Sequence, residues 1–402
     1  MKIGIVTYSL SAGGGVSTFV LSLGKYFSSL GHDVTIITEQ SQGVWYSEIA
    51  RSGLQSDYMN IGEMEWFPFG KFIYSSMIGK LLRRGQYDVI ILNHSLFAQL
   101  SAHKFNEKSI ILSVVHNDNY GVYLVASRNM NNIDGVSCVS MAAYEGSRQY
   151  IDIQKLYCIP NGIELPGMHM GSLTRNNFRT IKIIFVGRLN HAQKGIYFIP
   201  EILELCRKKA AFPFELTIVG DGPDKKTLIR LLKEKGVDNL VTFRGTIARE
   251  EVYQLYQSHH IFLMTSFYEG LPLTLIESMS CGCVPVASYL ENITDNCVKD
   301  GVYGFLPRVG ETQAFADAII KLGSNPDNLI KMSKLCAEKA ATDFSVERMG
   351  NDYLKLIHEL QEKRLSGEYS PVGFKLSNFH WKDFFPDKLI IAIKRLMTRI
   401  KK

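Results

Sequence analysis

The stretch 264–288 constrains the fold most, because, together with the short apolar run that leads into it, it has the pattern of a strand, a loop, a helix and a second strand. Residues 260–264 form an apolar run of strand length. The loop that follows contains two residues that interrupt regular structure, Gly270 and Pro272. Leu, Ile and Met then recur at helical spacing until Gly282 ends the helix. This order is that of an α/β unit, and it predicts an α/β protein.

Two carboxylates bracket the loop and helix of this unit, Glu269 in the loop and Glu277 on the helix. A helix that opens at a loop with free backbone N–H groups is an anion site. A carboxylate beside it can accept hydrogen bonds from sugar hydroxyls. Phosphate and hydroxyl recognition side by side suggest that the ligand is a sugar nucleotide. The alternative is that Glu269 is an ordinary solvated loop residue and Glu277 an ordinary surface residue of the helix.

The complete sequence from Glu269 to Ser288 is a more specific signal than the two carboxylates alone. Glu, seven residues and Glu are followed by Ser-Met-Ser-Cys-Gly-Cys-Val-Pro-Val-Ala-Ser, which closely resembles the donor-site signature of retaining glycosyltransferases of family four. The resemblance implies the GT-B architecture, two Rossmann-like domains facing each other across a deep cleft. It predicts an acceptor domain at 1–165, a donor domain at 175–344, and a helix at 345–362 that crosses back to the first domain. The tail 364–402 extends beyond that core.

The N-terminal segment has the order strand, glycine-rich loop, helix and strand, which is a Rossmann type of arrangement. Three consecutive glycines at 13–15 let the backbone approach a ligand, but a plain tight turn explains them equally well. The resemblance favours Gly14 and Gly15 as contacts of the donor diphosphate. It also favours His116, at the end of the strand 109–115, as a group beside the transferred sugar. His94, after the strand 88–92, is the second choice.

Two cations follow the first strand of the second domain, Arg188 and Lys194, within the family pattern Gly-Arg-Leu…Lys-Gly. An arginine offers a planar fork to phosphate oxygens, and a lysine acts as a point charge. In a transfer reaction the leaving nucleoside diphosphate gains negative charge, and stabilising that charge is the largest catalytic effect available. Taken alone, both cations would be ordinary solvated surface residues.

The remaining donor contacts are predicted along the same domain. Gly220 lies in a turn that resembles the family's Gly-x-Gly-Pro turn, and the loop with Thr246 and Ile247 is expected to meet the nucleobase through backbone groups. Pro272 departs from the family pattern and has no N–H to donate. Sugar and phosphate contacts then fall to the N–H groups of four residues, Gly270, Leu271, Leu273 and Thr274. Asp221 lacks a neighbouring acidic partner, so no metal site and no cofactor beyond the donor substrate are predicted.

The charge and cysteine composition limit the kinds of molecule that this protein is expected to bind and the compartment in which it is expected to act. The net charge is +6 over 402 residues, and residues 387–402 carry six Lys or Arg against one Asp. The rest of the chain is close to neutral, which argues against a nucleic-acid partner. Residues 386–402 have an apolar stripe opposed by basic residues, typical of a helix that contacts an anionic membrane, although packing on protein is the alternative. Seven scattered cysteines and no apolar leader or membrane span predict a cytoplasmic protein at the inner face of the membrane.

Together with these observations, the resemblance implies a retaining, metal-independent glycosyltransferase. It is expected to move a hexose or N-acetylhexosamine from a nucleotide-sugar donor, with UDP favoured, to a glycan or lipid-linked glycan acceptor of a bacterial envelope polysaccharide. The expected catalytic residues are His116, Arg188, Lys194 and Glu269, with Glu277 accepting the ribose hydroxyls. The resemblance implies attack on the same face as the leaving phosphate, with Glu269 as a covalent nucleophile the alternative. A sugar-nucleotide epimerase of the same fold and a non-catalytic nucleotide-sugar-binding scaffold are the rival functions. A strand is also expected at 304–307.

Overall fold

The computed structural model describes residues 1–8, 10, 14–39, 46–58, 70–105, 107–165 and 178–368. The chain forms two units. One is Ile163–Arg348, and the other is Met1–Gly162 together with the chain from Met349 onward. The segment 166–177, which includes the residues between the two predicted domains, and the tail from 369 lie outside the described residues. Each unit is an α/β structure, and each is described by itself below.

The first unit has a seven-stranded sheet in the order β3-β2-β1-β4-β5-β6-β7, with every described pairing parallel. Its elements are β1 (Lys2–Thr7), α1 (Gly15–Ser29), β2 (Asp33–Thr38), α2 (Tyr46–Arg51), β3 (Gln55–Tyr58), α3 (Gly70–Gly85), β4 (Val89–Asn93), α4 (Leu96–Leu100), β5 (Ile110–Val115), α5 (Tyr120–Ala126), β6 (Gly135–Cys138), α6 (Met141–Ser147) and β7 (Leu156–Cys158).

The second unit has a five-stranded parallel sheet in the order β10-β9-β8-β11-β12. Its elements are β8 (Ile181–Val186), α7 (His191–Lys194), α8 (Ile199–Lys209), β9 (Phe214–Val219), α9 (Lys225–Glu234), β10 (Val241–Gly245), α10 (Arg249–Ser258), β11 (Ile261–Met264), α11 (Leu273–Ser280), β12 (Val284–Ala287), α12 (Thr294–Cys297), α13 (Thr312–Gly323) and α14 (Pro326–Asp343).

The central strands form because their side chains are apolar and are covered on both faces. All six residues of β5 and all four of β11 and β12 are buried. Continuous apolar runs of this kind are typical of parallel strands with helices on both faces of the sheet. Since parallel strands place their carboxyl ends at one edge, the loops that follow them meet there, and this edge positions the predicted site residues.

Helix α15 (Val346–Leu365) packs on the first unit from Met349 onward. The Tyr353 ring is fully buried, and its hydroxyl donates a hydrogen bond to Ser137 Oγ at 3.0 Å. Near the end of the helix, Arg364 donates two hydrogen bonds of 2.7 Å to the buried carboxylate of Asp134. A buried hydroxyl and a buried ion pair thus fix this helix at both ends of its contact with the unit.

One predicted element is wrong. Residues 304–307, expected as a strand, make only isolated bridges, Val286 to Phe305 and Asp300 to Gly304. A side chain at Gly304 would come within 2.4 Å of the carbonyl oxygen of Pro285. Backbone hydrogen bonds join Phe305 to Pro285 and Ala287, and Tyr289 to Pro307, so the segment follows β12 closely but does not form a continuous strand. Conversely, β3 reads Gln-Ser-Asp-Tyr, and the absence of an apolar run in it left this edge strand unpredicted.

Candidate active site

The predicted groups of the second unit meet at one place in the sheet. Strand β8 has β9 on one side and β11 on the other, although β11 comes later in the chain than β10. From β8 the chain therefore adds β9 and β10 on one side of the sheet and then returns to add β11 on the other side of β8. The crevice at such a switch point is the usual ligand site of an open α/β sheet. Arg188 and Lys194 follow β8, and Glu269 follows β11.

Lys194 and Glu269 form an ion pair there. The distance from Lys194 Nζ to Glu269 Oε1 is 2.6 Å, and the two side chains are only 14% and 8% exposed. Ser266 Oγ donates a second hydrogen bond of 2.6 Å to the same carboxylate oxygen. Two residues that were predicted to have separate roles, one on phosphate and one on sugar hydroxyls, therefore hold each other in position.

The backbone ties these two segments together. Gly195 ends α7 with a φ of 60°, and a Cβ at this position would lie 2.0 Å from the carbonyl oxygen of Thr265. Thr265 Oγ1 donates to the Lys194 carbonyl at 2.8 Å, and the Phe267 N–H donates to the Gln193 carbonyl at 2.8 Å. Only a glycine permits this approach, which keeps the lysine next to the carboxylate.

The loop after Glu269 and the start of α11 present free hydrogen-bond donors. The N–H groups of Gly270, Leu271, Leu273 and Thr274 make no hydrogen bond within the described part of the chain. Pro272 is the N-cap and provides no side-chain cap. Free N–H groups at the first turn of a helix attract anions, and the structure places these donors next to the ion pair; their role in donor binding stays a prediction.

Glu277 lies on α11 and is partnered by a residue that was not predicted. Arg249 Nη2 lies 3.3 Å from Glu277 Oε1, and the Arg249 guanidinium packs 5.6 Å from the centre of the Tyr253 ring. Burial raises the pKa of Glu277, and Arg249 opposes that shift. The carboxylate that was expected to accept ribose hydroxyls is thus held, in the described structure, by an arginine at 28% side-chain exposure.

The carboxyl ends of β8, β9 and β10 contact one another closely at glycine residues. Gly220, at a φ of 125°, would carry a Cβ 2.0 Å from the carbonyl oxygen of Gly187. The Gly220 N–H donates to the carbonyl of Gly245 at 2.8 Å, so the predicted nucleobase loop, Thr246 and Ile247, begins beside the Gly220 turn. Arg188 is exposed and has no ion-pair partner among the described residues, which leaves its guanidinium available to a ligand.

In the first unit, His116 lies at the carboxyl edge of the sheet directly after β5. Its side chain is 5% exposed, and its Nε2 is 2.9 Å from Asn93 Oδ1. Because Asn93 Nδ2 donates to the Val6 carbonyl, Oδ1 is the acceptor and the imidazole carries its hydrogen on Nε2. Burial lowers the pKa of His116 well below its usual range, and nearby His94 lowers it further. A neutral imidazole with a free Nδ1 can accept a hydroxyl hydrogen.

Gly14 and Gly15 also belong to this edge of the first unit, after β1 and at the start of α1. Both are exposed, and no described atom lies within 4 Å of a Cβ built on Gly14. Its φ of 172° is extended backbone that any residue adopts. Crowding by the described residues therefore does not explain the glycine at this position, and the role of both glycines in diphosphate binding stays a prediction.

Two groups of the second-unit site were missed from the sequence. Ser266 stands three residues before Glu269 in the same loop, and this short separation is the signal that could have found it. Arg249 gave no comparable signal, because its partner Glu277 is distant in sequence.

No group of three or more His, Cys, Asp or Glu that could hold a metal ion occurs in the described ranges. Among the described residues, every helix is too short or too polar to span a bilayer.

Comparison with known proteins decides the family. Residues 13–165 match the family model described as Glycosyltransferase Family 4, and residues 180–325 match the one described as Glycosyl transferases group 1. The chain is a family 4 glycosyltransferase. The resemblance found in its sequence is therefore confirmed, and so is its assignment to the transferase class of enzymes.

Relatives of this glycosyltransferase include enzymes with different substrates. It is 22% identical to N-acetyl-alpha-D-glucosaminyl L-malate synthase of Bacillus anthracis, over 92% of this chain and 99% of that one. It is 30% identical to the Campylobacter jejuni GalNAc-alpha-(1->4)-GalNAc-alpha-(1->3)-diNAcBac-PP-undecaprenol alpha-1,4-N-acetyl-D-galactosaminyltransferase. That match covers 44% of this chain and about half, 48%, of the Campylobacter enzyme.

The fold of this glycosyltransferase is also shared with solved structures. HepE of Anabaena, solved in complex with UDP, superposes with a TM-score of 0.74 at 18% identity, covering 89% of this chain and all of HepE. An apo structure of the lipopolysaccharide outer core galactosyltransferase WaaB superposes with a TM-score of 0.66 at 17% identity, over 92% of this chain and 100% of that one. The predicted GT-B fold is thereby confirmed.

Proposed function

We propose that this glycosyltransferase transfers a hexose or N-acetylhexosamine from a nucleotide-diphosphate sugar, with UDP favoured, to a hydroxyl of a lipid-linked glycan acceptor. The transfer retains the configuration at the anomeric carbon and needs no metal ion. The acceptor belongs to a bacterial envelope polysaccharide. Support for UDP comes from the fold shared with HepE, which was solved with UDP, and support for the acceptor comes from the undecaprenol-linked substrate in the name of the Campylobacter relative.

The observation that carries the proposal is the Lys194–Glu269 pair beside the free N–H groups of the α11 N-terminus. Cation, carboxylate and N–H donors together match a sugar attached to a diphosphate. Lys194, Arg188 and the N–H donors neutralise the diphosphate, with Gly14 and Gly15 as further contacts. Glu269 accepts hexose hydroxyls. In the same proposal Glu277 accepts the ribose hydroxyls, Thr246 and Ile247 meet the base, and His116 lines the reacting face.

In the proposed reaction the acceptor hydroxyl attacks the anomeric carbon on the face from which the diphosphate leaves. The carbon–oxygen bond to the β-phosphate breaks, the bond to the acceptor oxygen forms, and the leaving phosphate oxygen takes the acceptor proton. The cations and N–H donors act because charge grows on that phosphate oxygen as its bond breaks. The side chains of this chain therefore bind, orient and neutralise, and none of them has to form a covalent intermediate.

The test is donor hydrolysis by the purified protein in EDTA, measured as nucleotide release from a panel of UDP- and GDP-sugars. We expect slow release of UDP from one donor and faster release once the correct glycan is added. Release that requires added Mg²⁺ or Mn²⁺ contradicts metal independence. An isomerised sugar nucleotide formed without any acceptor would identify an epimerase, and the absence of both binding and release from every donor would refute the proposal.

We also propose that the enzyme acts at the cytoplasmic face of the membrane and contacts anionic lipid through residues 386–402, which lie outside the described residues. Each basic residue near an anionic surface contributes about 1 kcal/mol. Truncation after Glu368 keeps Arg364 on Asp134 and is expected to abolish sedimentation with phosphatidylglycerol vesicles while donor affinity stays unchanged. Sedimentation of the truncated protein at the level of the full chain would locate the contact elsewhere.

A further inference from the structure

Three tyrosines form a stack on the first unit, where α5 packs against α6. Tyr123 is buried, and the Tyr150 ring lies nearly parallel to the Tyr123 ring with the ring centres 5.9 Å apart. Tyr120 meets Tyr150 edge to face at 5.8 Å, and these two residues are 62% and 37% exposed. A Cβ at Gly146 in α6 would lie 2.2 Å from the Tyr123 hydroxyl oxygen, so this glycine makes room for the buried tyrosine. Tyr120, Tyr123 and Tyr150 are called the tyrosine platform below.

A loop of exposed polar residues adjoins the platform at the carboxyl edge of the sheet. Asn117, Asp118 and Asn119 connect β5 to α5, and all three are exposed. Asn119 Oδ1 accepts the Gly121 N–H at 2.8 Å, which leaves the amide hydrogens of Asn119 without a partner among the described residues. The side chain of Asn117 makes no hydrogen bond within the same ranges. Two amides are therefore available to a ligand at this edge.

The platform also fixes the position of the carboxylate in this loop. The hydroxyl of Tyr123 donates a hydrogen bond to Asp118 Oδ1, and Asp118 Oδ2 accepts none within the described part of the chain. Leu124, one helical turn after Tyr120, is 40% exposed and extends the apolar surface. A buried tyrosine thus holds an exposed carboxylate next to two exposed aromatic rings.

The chemistry of this surface selects a glycan as its ligand. A sugar ring has apolar faces of C–H groups, which pack on aromatic rings, and a rim of hydroxyls, which bond amides and carboxylates. Helix α5 has no charged side chain, and the charge that contacts the platform is the negative one of Asp118. An anionic lipid surface would be repelled by that carboxylate, whereas a neutral glycan would bond it.

We propose that the tyrosine platform and the loop 117–119 bind the acceptor glycan at the sugar next to the one that reacts. This inference rests on the proposed function and adds that the acceptor is an oligosaccharide of at least two sugars. In the proposed function His116 lines the reacting face. Tyr120 comes four residues after His116, so the platform receives the part of the acceptor that extends away from the reacting hydroxyl.

The test is the dependence of transfer on acceptor length. Methyl glycosides, and disaccharides that end in the same sugars, are screened as acceptors with the full-length protein and the donor from which it releases nucleotide. We expect kcat/KM for the best disaccharide to exceed that for its methyl glycoside by about tenfold or more. Tyr120→Ser combined with Tyr150→Ser should remove this advantage and leave donor hydrolysis and transfer to the methyl glycoside unchanged. Tyr120→Phe combined with Tyr150→Phe keeps both rings and should keep the advantage.

Leu30→Ser is the matched control. Leu30 is 50% exposed in the same unit, but it lies between α1 and β2, at the opposite edge of the sheet. This variant should use both acceptors as the wild type does. A double serine variant that still prefers the disaccharide as the wild type does overturns the proposal, and so does an equal loss with both acceptors. A double serine variant that keeps the preference but no longer sediments with phosphatidylglycerol vesicles would show that the platform contacts lipid instead.

A second measurement does not depend on turnover. In saturation-transfer NMR with the full-length protein, the same disaccharides should receive magnetisation at the C–H protons of the sugar next to the terminal one. The double serine variant should lose this signal. If no disaccharide gives it, or if wild type and variant give it equally, the glycan site is refuted even where donor hydrolysis supports the proposed function. The signal in a protein that releases no nucleotide from any donor would instead refute the proposed function and keep the glycan site.

Discussion

Replacement of Lys194 by methionine should damage turnover far more than stability. The pair that it breaks is largely buried, with the two side chains 14% and 8% exposed. Loss of one partner of a fully buried ion pair costs about 3–5 kcal/mol, because the other charge stays buried without compensation. Here Glu269 keeps the hydrogen bond from Ser266, so we expect the variant to lose about 2 kcal/mol of unfolding free energy.

The expected catalytic effect is larger. A positioned group that stabilises charge on the leaving phosphate is worth about a hundredfold to a thousandfold in kcat, or roughly 3–4 kcal/mol. The assay is nucleotide release coupled to a chromogenic reaction, measured beside urea unfolding of the same preparation. Wild-type turnover in Lys194→Met would refute the assignment of this lysine to the diphosphate.

A double variant separates the two effects. In Lys194→Met with Glu269→Gln the buried charge is gone, and the oxygen of the introduced amide can still accept the hydrogen bond from Ser266. An apolar side chain beside a neutral amide should restore most of the lost stability, since replacing both partners of a buried pair is often neutral. Turnover should stay low, because both substrate contacts are missing. If turnover recovers together with stability, the pair is structural and the catalytic argument fails.

The remaining predictions concern the groups that hold the site. Gly195→Ala should lower the unfolding free energy by about 2 kcal/mol or more in a urea titration, because the added Cβ meets the Thr265 carbonyl oxygen. The control is Gly310→Ala, whose position also has a positive φ but whose added Cβ would have only the Phe198 ring within 4 Å. This variant should lose about half as much unfolding free energy. If the two losses are equal, the close approach at Gly195 is not the cause. Nucleotide affinity should fall as the pH drops through the raised pKa of Glu277, because the carboxylate must be ionised to accept ribose hydroxyls. Since Arg249 lowers that pKa, Arg249→Met should move the fall to higher pH in calorimetric titrations; an unmoved profile would show that Glu277 does not contact the nucleotide.

The buried strands and the helix starts could be predicted from the sequence, because each follows from a local pattern. Strand β5 is an uninterrupted apolar run, and Gly282, at a φ of 75°, follows the end of α11 where the glycine signal placed it. The polar edge strand β3 had no such pattern, and at 304–307 the pattern predicted a strand where the structure has only isolated bridges. Their positions depend on pairing with β2 and β12, which short-range periodicity does not encode.

The candidate site was predictable as a set of residue types but not as a set of contacts. The string that contains Glu269 and the string that contains Lys194 each signal a ligand on their own. Their ion pair exists because β11 lies next to β8 in the sheet, a crossover that no local pattern specifies. The partnership of Arg249 with Glu277 likewise depends on how α10 packs beside α11.

The discontinuity of the first unit has a consequence during protein synthesis. When Gly162 has left the ribosome, the surface that Tyr353 covers and the buried Asp134 that Arg364 neutralises are still without their partners. At about 5–20 residues per second, the missing helix follows roughly 10–40 s later. During this interval the nascent N-terminal half exposes an uncovered apolar surface. This is therefore the stage of synthesis at which we expect chaperone binding to matter most.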